Sequence, residues 1–215
     1  MTYSVKEAFY TLQGEGAQTG RAAVFLRFAG CNLWSGLERD RESAVCQFCD
    51  TDFVGTDGEN GGKYRTAEEL AGLVAGIWTA HAGPGGLPYI VCTGGEPLLQ
   101  LDPPLIAALH AKGFEVAVET NGTVEAPEGL DWICVSPKAS AELVLKRGNE
   151  LKLVYPQDEP EAQPERFSEL DFQHFFLQPK DNSEAARNVQ AAAEYCLKHP
   201  QWRLSLQTHK LTGLP

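Results

Sequence analysis

The stretch that decides the fold is Tyr89-Ile90-Val91-Cys92-Thr93-Gly94-Gly95-Glu96-Pro97, an apolar run that ends in a glycine-rich turn. A helix is predicted to follow, because Asp102-Pro103 places a capping residue and a proline at its start and Gly113 supplies a stop. The next apolar run, Phe114–Val118, is then a second strand. A strand, a helix and a strand in this order predict a βαβ unit with parallel strands.

The same alternation extends in both directions along the chain. Two strands are predicted upstream, at Ser4–Tyr10 and Ala22–Phe28, whereas residues 29–65 lack a regular pattern. A helix is predicted from Thr66, where Glu69 completes a capping box. The remaining predicted elements are strands at Trp132–Val135, Leu151–Tyr155, Phe175–Leu177 and Leu204–Leu206 and a third helix over about 183–198.

The predicted fold class is therefore α/β, an incomplete, partial TIM-type barrel of mostly parallel strands, because three helices are too few to surround a closed one. Polar, turn-forming residues follow five of the predicted strands. These strand ends are Thr93–Glu96, Glu119–Gly122, Ser136–Lys138, Gln178–Asp181 and Gln207–Lys210. Ligands of parallel α/β folds bind at the carboxyl ends of strands, so we expect one functional face there.

Length and composition narrow the class of protein. The 215 residues predict one domain over 1–215, and 29 acidic against 18 basic residues give a formal net charge of −11, unlike the basic footprint of a nucleic-acid binder. No apolar run reaches the roughly 18 residues of a membrane span, and Met1–Tyr10 has no signal-peptide pattern. We expect a cytoplasmic protein that binds neither nucleic acid nor membrane.

In such a compartment, cysteines serve as metal ligands or buried thiols more often than as disulfides. Cys46 and Cys49 form a C-x-x-C pair, and Cys31 lies fourteen intervening residues upstream. Iron–sulfur clusters normally take four cysteines, so a set of three leaves one iron open for a small molecule. A structural zinc site, which usually has four ligands, and a thioredoxin-like pair, which leaves Cys31 without a role, are the alternatives. The other three cysteines, Cys92, Cys134 and Cys196, suit buried positions.

These features together resemble the radical S-adenosylmethionine enzymes, and the whole chain is similar to the 7-carboxy-7-deazaguanine synthase family. The segments that carry the resemblance are Phe9–Gly16, Arg27–Trp34, Cys46–Asp52, Thr93–Pro97, Glu119–Gly122 and Ser136–Lys138. The commonest cysteine spacing of the superfamily is C-x3-C-x2-C, and here Trp34–Val45 enlarges the first gap, as it does in one branch of the synthases. Residues 29–65 are then a cluster-binding loop, called the cluster loop below.

The resemblance implies ring contraction of 6-carboxy-5,6,7,8-tetrahydropterin to 7-carboxy-7-deazaguanine with loss of ammonia, in queuosine biosynthesis. It implies a 4Fe–4S cluster on Cys31, Cys46 and Cys49, and Mg²⁺ at Thr51. It implies S-adenosylmethionine contacts from Phe48, Cys49, Asp50, Gly95, Ser136, Pro137, Lys138, Gln178, Pro179, Lys180 and Asp181. Substrate contacts follow for Leu12, Gln13, Gly14, Glu15, Arg27, Thr93 and Pro215. It further implies a homodimer and a reducing protein such as flavodoxin or ferredoxin.

Several of these residues have a simpler explanation. The turn at Gly95 could serve simply to start a helix, and Glu15 could be no more than a turn residue. Arg27 could alternate towards solvent, and Pro215 could belong to a frayed tail. His209 could line the same cavity or be a satisfied buried histidine. The roles of Glu119, Asn121 and His209 are left open.

Two other functions compete with the synthase. A radical activase that makes a glycyl radical on a partner protein would share the three cysteines and the Gly-Gly-Glu-Pro turn. A zinc-stabilised α/β binding module would have no catalytic role. Iron content separates the module from both enzymes, because only the enzymes carry an iron–sulfur cluster.

Overall fold

A computed structural model describes residues 2–215. Its strands are β1 (Tyr3–Leu12), β2 (Ala22–Phe28), β3 (Gly62–Tyr64), β4 (Tyr89–Gly94), β5 (Glu115–Thr120), β6 (Trp132–Val135), β7 (Arg147–Tyr155), β8 (Asp171–Pro179) and β9 (Trp202–Leu204). Its helices are α1 (Ala67–His81), α2 (Pro103–Ala111), α3 (Ala185–Lys198) and the short α4 (Thr208–Thr212). In the described part of the chain, no helix combines the length and the apolar character that crossing a bilayer requires.

The nine strands form one open sheet in the order β3-β1-β2-β4-β5-β6-β7-β8-β9. β1 runs antiparallel to β2 and β3, and every pair from β2–β4 to β8–β9 is parallel. The edge strands β3 and β9 do not pair with each other, so the barrel stays incomplete. The predicted α/β class with mostly parallel strands in a partial barrel is confirmed.

The helix starts predicted from local sequence are also confirmed. The backbone N–H of Glu69 donates to the Thr66 hydroxyl at 3.1 Å, which caps α1. Asp102 accepts from the Leu105 N–H at 3.1 Å and caps α2 in the same way. These caps satisfy N–H groups that have no partner within the helix.

The prediction of the last strand is wrong. β9 covers Trp202–Leu204 and not Leu204–Leu206, because Trp202 is the residue that fills the core, in edge-to-face contact with Phe175 at 5.3 Å. Leu206 lies beyond the strand, in the approach to α4. Neither α4 nor the three-residue β3 was predicted, since segments this short carry too few residues for a periodic pattern.

Two hydrophobic layers flank the sheet. The main core lies between the sheet and α1, α2 and α3, and a smaller cluster lies on the other, concave face around Tyr89, Val91 and Ala117. Side chains alternate between the two faces of a strand. Polar residues therefore reach the concave face from successive strands near their carboxyl ends, namely Arg27, Thr93, Glu119, Lys152 and Gln178.

Candidate active site

A cavity of about 460 Å³ opens at the carboxyl ends of the parallel strands. This volume falls in the range of pockets that hold small ligands. Its wall includes every predicted site residue except Cys31 and Pro137: Leu12, Gln13, Gly14, Glu15, Arg27, Cys46, Phe48, Cys49, Asp50, Thr51, Thr93, Gly95, Ser136, Lys138, Gln178, Pro179, Lys180, Asp181 and Pro215. The five polar strand ends predicted from the sequence therefore meet at one cavity.

The three cysteines of the cluster loop surround one corner of this cavity. All three are free thiols; Cys46 and Cys49 line the cavity, whereas Cys31 lines a shallow hollow beside it with Trp34. The Cys31 Sγ accepts the Leu33 N–H at 3.4 Å. Burial raises the pKa of Cys31 and of Cys46. Three unpaired soft donors suit an iron–sulfur cluster.

A single metal ion would need its ligands closer together than this. Within residues 2–215, no three side chains among Cys, His, Asp and Glu lie close enough to share one ion. A cluster imposes a different condition, because each cysteine binds its own iron and the sulfurs need not meet at one point. The donor set fits the cluster that the resemblance implies.

The enlarged segment of the cluster loop is held by one cation. The Arg41 guanidinium lies 4.1 Å from the centroid of the Trp34 ring. Its Nη1 donates to the carbonyls of Gln47 at 2.9 Å and Cys49 at 3.1 Å, so it ties the inserted residues to the C-x-x-C pair. Trp34 is itself buried and packs edge-to-face on Phe53 at 5.6 Å.

The glycine-rich turn after β4 packs directly against the cluster loop. A Cβ on Gly95 would lie 2.0 Å from the Gly30 carbonyl oxygen and 2.9 Å from the Cys31 Cβ, so only glycine fits. Glu96 accepts the Leu98 N–H at 3.0 Å and starts a turn of 3₁₀ helix at Pro97. The segment starts a helix and also forms part of the cavity wall.

Two lysines approach the ring of Phe48 from the far side of the cavity. Their ammonium groups lie 5.8 Å (Lys138) and 5.3 Å (Lys180) from the ring centroid. The Lys138 Nζ donates to the Ser136 carbonyl at 2.8 Å and hydroxyl at 2.7 Å, and burial lowers the pKa of this lysine. The two cations and the Ser136 hydroxyl offer a binding place for an anionic or hydroxyl-bearing ligand.

Glu15 lies in a buried network and is more than a turn residue. Its side chain is 13% exposed; its carboxylate accepts from Gln178 and Gln207 at 3.1 Å each, and from Lys152. Burial acts to raise the pKa of Glu15, but the Lys152 charge and the hydrogen bonds outweigh it and hold that pKa below its ordinary value. Glu15 therefore presents an ionised carboxylate to the cavity.

Arg27 does not alternate towards solvent. Its side chain is 19% exposed, it lines the cavity, and its Nε donates to Glu7 Oε1 at 2.8 Å. This bond holds one edge of the guanidinium. The Nη atoms remain for a carboxylate in the cavity, which a planar fork can bind through two hydrogen bonds.

Known proteins of similar sequence share one name. The chain is 66% identical to a 7-carboxy-7-deazaguanine synthase of Caulobacter vibrioides over 215 residues, and 62% identical to one of Bordetella pertussis over 215 residues. It is 40% identical to one of Bacteroides thetaiotaomicron over 214 residues, and each match covers 100% of both chains. The chain belongs to the 7-carboxy-7-deazaguanine synthase family. No family model matches it.

The fold of the family extends to a more distant relative. The crystal structure of QueE from Escherichia coli superposes with a TM-score of 0.71 at 30% identity, over 97% of this chain and 95% of that one. The chain is accordingly an enzyme of the synthase family with that fold. Membership favours the synthase over the activase and the zinc-stabilised module.

Thr51, two residues after the C-x-x-C segment, lines the cavity of this synthase-family chain. The residues that follow it are fixed to β1, because the Lys6 Nζ donates to the Val54 carbonyl at 3.0 Å and pairs with Asp52 at 2.9 Å. Magnesium takes oxygen ligands and keeps several waters. The hydroxyl of Thr51 on this open cavity is compatible with such an ion.

The C-terminal segment closes the cavity on the side of β1. The Thr208 N–H and hydroxyl both donate to the Gly14 carbonyl, at 3.0 and 2.9 Å, and half-buried His209 packs on Gly14. Pro215 lies on the wall, and its carbonyl accepts the Thr11 hydroxyl at 3.0 Å. Pro215 is held in place, unlike the end of a frayed tail.

Four residues of the site were missed as ligand contacts by sequence reasoning. Glu119, Lys152, Gln207 and Lys210 all line the cavity. A signal existed for Glu119 and Gln207, since both stand in polar strand ends. Lys152 had a weaker one, because it interrupts the apolar run of β7 on the same face as Val154. Asn121 and His209, which like Glu119 were named without a role, also line the wall.

Proposed function

We propose that this chain converts 6-carboxy-5,6,7,8-tetrahydropterin to 7-carboxy-7-deazaguanine with loss of ammonia, as a Mg²⁺-dependent radical S-adenosylmethionine enzyme of queuosine biosynthesis. The observation that carries the proposal is one cavity of about 460 Å³ whose wall includes Cys46 and Cys49 together with Glu15 and Arg27. A cluster, its cofactor and a small heterocycle would then share one enclosed space.

The cluster end of the cavity supports the cofactor assignments. Cys31, Cys46 and Cys49 would hold a 4Fe–4S cluster, and the glycine edge at Gly95 would admit the methionine part of S-adenosylmethionine. The other proposed contacts of that cofactor are Phe48, Asp50, Ser136, Pro137, Lys138, Gln178, Pro179, Lys180 and Asp181. When bound, the cluster and S-adenosylmethionine would supply the chemistry for hydrogen-atom abstraction from the substrate.

A second group of wall residues, around Arg27 and Glu15, supports recognition of the pterin. Arg27 would bind the substrate carboxylate, and the ionised Glu15 would accept hydrogen bonds from the donor edge of the ring. Backbone groups of Leu12, Gln13 and Gly14, with Thr93 and Pro215, would complete the contacts. Thr51 would give Mg²⁺ one protein ligand between substrate and water. These residues orient the ring and exclude solvent.

The domain organisation, the oligomeric state and the electron donor are part of the same proposal. One continuous sheet and one cavity support a single domain over residues 1–215. The resemblance to the family supports a homodimer and an electron donor of the flavodoxin or ferredoxin type.

The test is an anaerobic turnover assay with mass spectrometry. The chain is reconstituted with iron and sulfide, reduced, and supplied with S-adenosylmethionine, Mg²⁺ and 6-carboxytetrahydropterin. We expect 7-carboxy-7-deazaguanine only when cluster and cofactor are both present, and slower turnover without Mg²⁺. If 5′-deoxyadenosine forms but the pterin is not consumed, the substrate assignment is wrong.

A further inference from the structure

A buried lysine lies between two carboxylates of the cavity wall. Lys152 comes from the middle of β7, and its ammonium donates to Glu15 and lies 3.3 Å from Glu119 Oε2. Lys152 is 4% exposed. All three side chains line the cavity, so the ammonium belongs to the wall and not to the hydrophobic core.

Neutral amides hold the two carboxylates from their other sides. Glu119 accepts the Gln13 Nε2 at 2.8 Å, and Glu15 accepts the Nε2 atoms of Gln178 and Gln207 at 3.1 Å each. Both carboxylates are thereby fixed in position, with Lys152 as the cation that touches both. The trio of Lys152, Glu15 and Glu119 carries a net charge of −1.

Other titratable groups lie near the trio, on β7 and on neighbouring elements. They are Tyr89 on β4, Cys134 on β6, Glu150 on β7, His209 on α4 and Lys138 after β6. The Glu150 carboxylate is occupied by the Ala17 N–H at 2.8 Å, and the Lys138 ammonium by Ser136. Lys152 is the cation that hydrogen-bonds to both Glu15 and Glu119.

Burying an ammonium costs free energy, and a pair of buried ions rarely stabilises a fold more than an apolar side chain of the same size would. The neighbours of Lys152 on the same face of β7 are Glu150 and Val154, so an apolar side chain at this point would extend the apolar surface that Val154 begins. A lysine at this point therefore serves the function of the cavity better than the stability of the fold. It would keep two adjacent acceptors ionised when water is excluded.

We propose that Lys152 is a positioning residue for the substrate. It holds Glu15 and Glu119 side by side as carboxylates, so that both accept hydrogen bonds from a ring edge with adjacent N–H donors. Without the ammonium, repulsion and burial favour protonation of one carboxyl, and a protonated carboxyl offers a donor where the ring also offers one. The inference rests on the proposed function, because the pterin supplies that edge.

The test compares Lys152→Met with Lys152→Arg and with Lys146→Met, an exposed lysine on the segment before β7. We expect Lys152→Met to raise KM for the pterin about tenfold or more, as for loss of charged hydrogen bonds. KM for S-adenosylmethionine should stay unchanged. In the pH profile of kcat/KM, the midpoint of the acidic limb should rise by about one pH unit. Lys152→Arg should restore that limb, and Lys146→Met should match the wild type.

A wild-type pterin KM and pH profile in Lys152→Met would overturn the inference while leaving the proposed function intact. Absence of product from the wild-type chain would reject the proposed function itself. If Lys152→Met does not fold, the double variant Lys152→Met/Glu119→Gln, which removes one charge of each sign, is compared with Glu119→Gln alone. Equal pterin KM in those two variants would likewise overturn it; a higher KM in the double variant supports it.

Discussion

The guanidinium of Arg41 stacks on the indole of Trp34 at 4.1 Å and binds the carbonyls on both sides of Phe48, in Gln47 and Cys49. The residues that enlarge the cysteine spacing therefore stabilise the C-x-x-C segment. An insertion that interrupts a metal-binding pattern in the sequence acts here as its support.

Arg41→Ala should make the cluster labile. Loss of the cation–π contact and of two carbonyl hydrogen bonds should speed iron release to a chelator about tenfold. Release is followed by the decay of visible absorbance under anaerobic conditions. Arg39→Ala is the matched control, because the Arg39 side chain is 79% exposed and contacts only its neighbour Asp40 at 3.6 Å. Equal release rates in the two variants would contradict the stabilising role of Arg41.

Cys46→Ala should abolish cluster binding, because two thiolates cannot replace three ligands. Iron and sulfide content after anaerobic reconstitution measure the effect directly. Cys196→Ala controls for general loss of a thiol, since Cys196 lies on α3 outside the cavity wall. Full iron content in Cys46→Ala would remove the basis of the proposed chemistry.

Arg27→Lys should lower kcat/KM for the pterin about tenfold or more, because a lysine cannot keep the bond to Glu7 and also offer a two-point contact. Steady-state kinetics with varied pterin provide the measurement. Arg21→Lys is the control, because Arg21 directly precedes β2, the strand that carries Arg27. Arg21 pairs with Glu115 at 2.6 Å away from the cavity, so its replacement should lower the melting temperature and leave KM unchanged. Unaltered kinetics in Arg27→Lys would mean that Arg27 acts only through Glu7.

Gly95→Ala should destabilise the chain by about 1–3 kcal/mol, the usual cost of overpacking, since its Cβ would meet the Gly30 carbonyl at 2.0 Å. Gly76→Ala should have the opposite sign. Gly76 lies on an exposed position of α1 with open space around it, so alanine should add up to about 1 kcal/mol of helix stability. Denaturant unfolding of both cluster-free variants compares them. Equal stability of Gly95→Ala and wild type would show that the cluster loop can move away from this turn.

Iron uptake by the cluster-free chain should fall as the pH is lowered. Burial raises the pKa of Cys31 and of Cys46, and only the thiolate binds iron. Below that pKa, each pH unit makes the thiolate about tenfold rarer. The initial rate of cluster formation at a series of pH values, with a short peptide of the Cys46–Cys49 sequence as control, tests this. A rate in the folded chain with the same pH midpoint as the peptide would contradict the effect of burial.

Local patterns in the sequence were enough for much of the fold. β2 and β6 have the predicted bounds, and Thr66 and Asp102 cap the predicted helices. The Glu69 carboxylate accepts the Arg65 N–H at 2.7 Å, and not the Thr66 N–H of a capping box. In each case the interaction involves residues a few positions apart. β9 was misplaced because a buried tryptophan on an edge strand, and not the apolar run itself, decides where pairing begins.

In the candidate site, too, local motifs were predicted and distant contacts were not. Motifs in the sequence identified the C-x-x-C cysteines, the glycine turn and the polar strand ends that line the cavity. The contact between Lys152 and Glu15 spans 137 residues and was not predicted. The period of a strand tells which face a side chain occupies, but not which distant side chain it meets there.

The hydrogen bonds between Thr208 and Gly14 have a consequence for the order in which the enzyme matures. They join residues 194 positions apart, so the wall on that side can form only after nearly the whole chain has been synthesised. The three cysteines and Gly95 all lie in the first half of the chain and emerge from the ribosome much earlier. During synthesis, the ligands for iron are therefore exposed before the chamber that shields their chemistry is complete, and a cell must deliver the metal late or protect these thiols until α4 has docked.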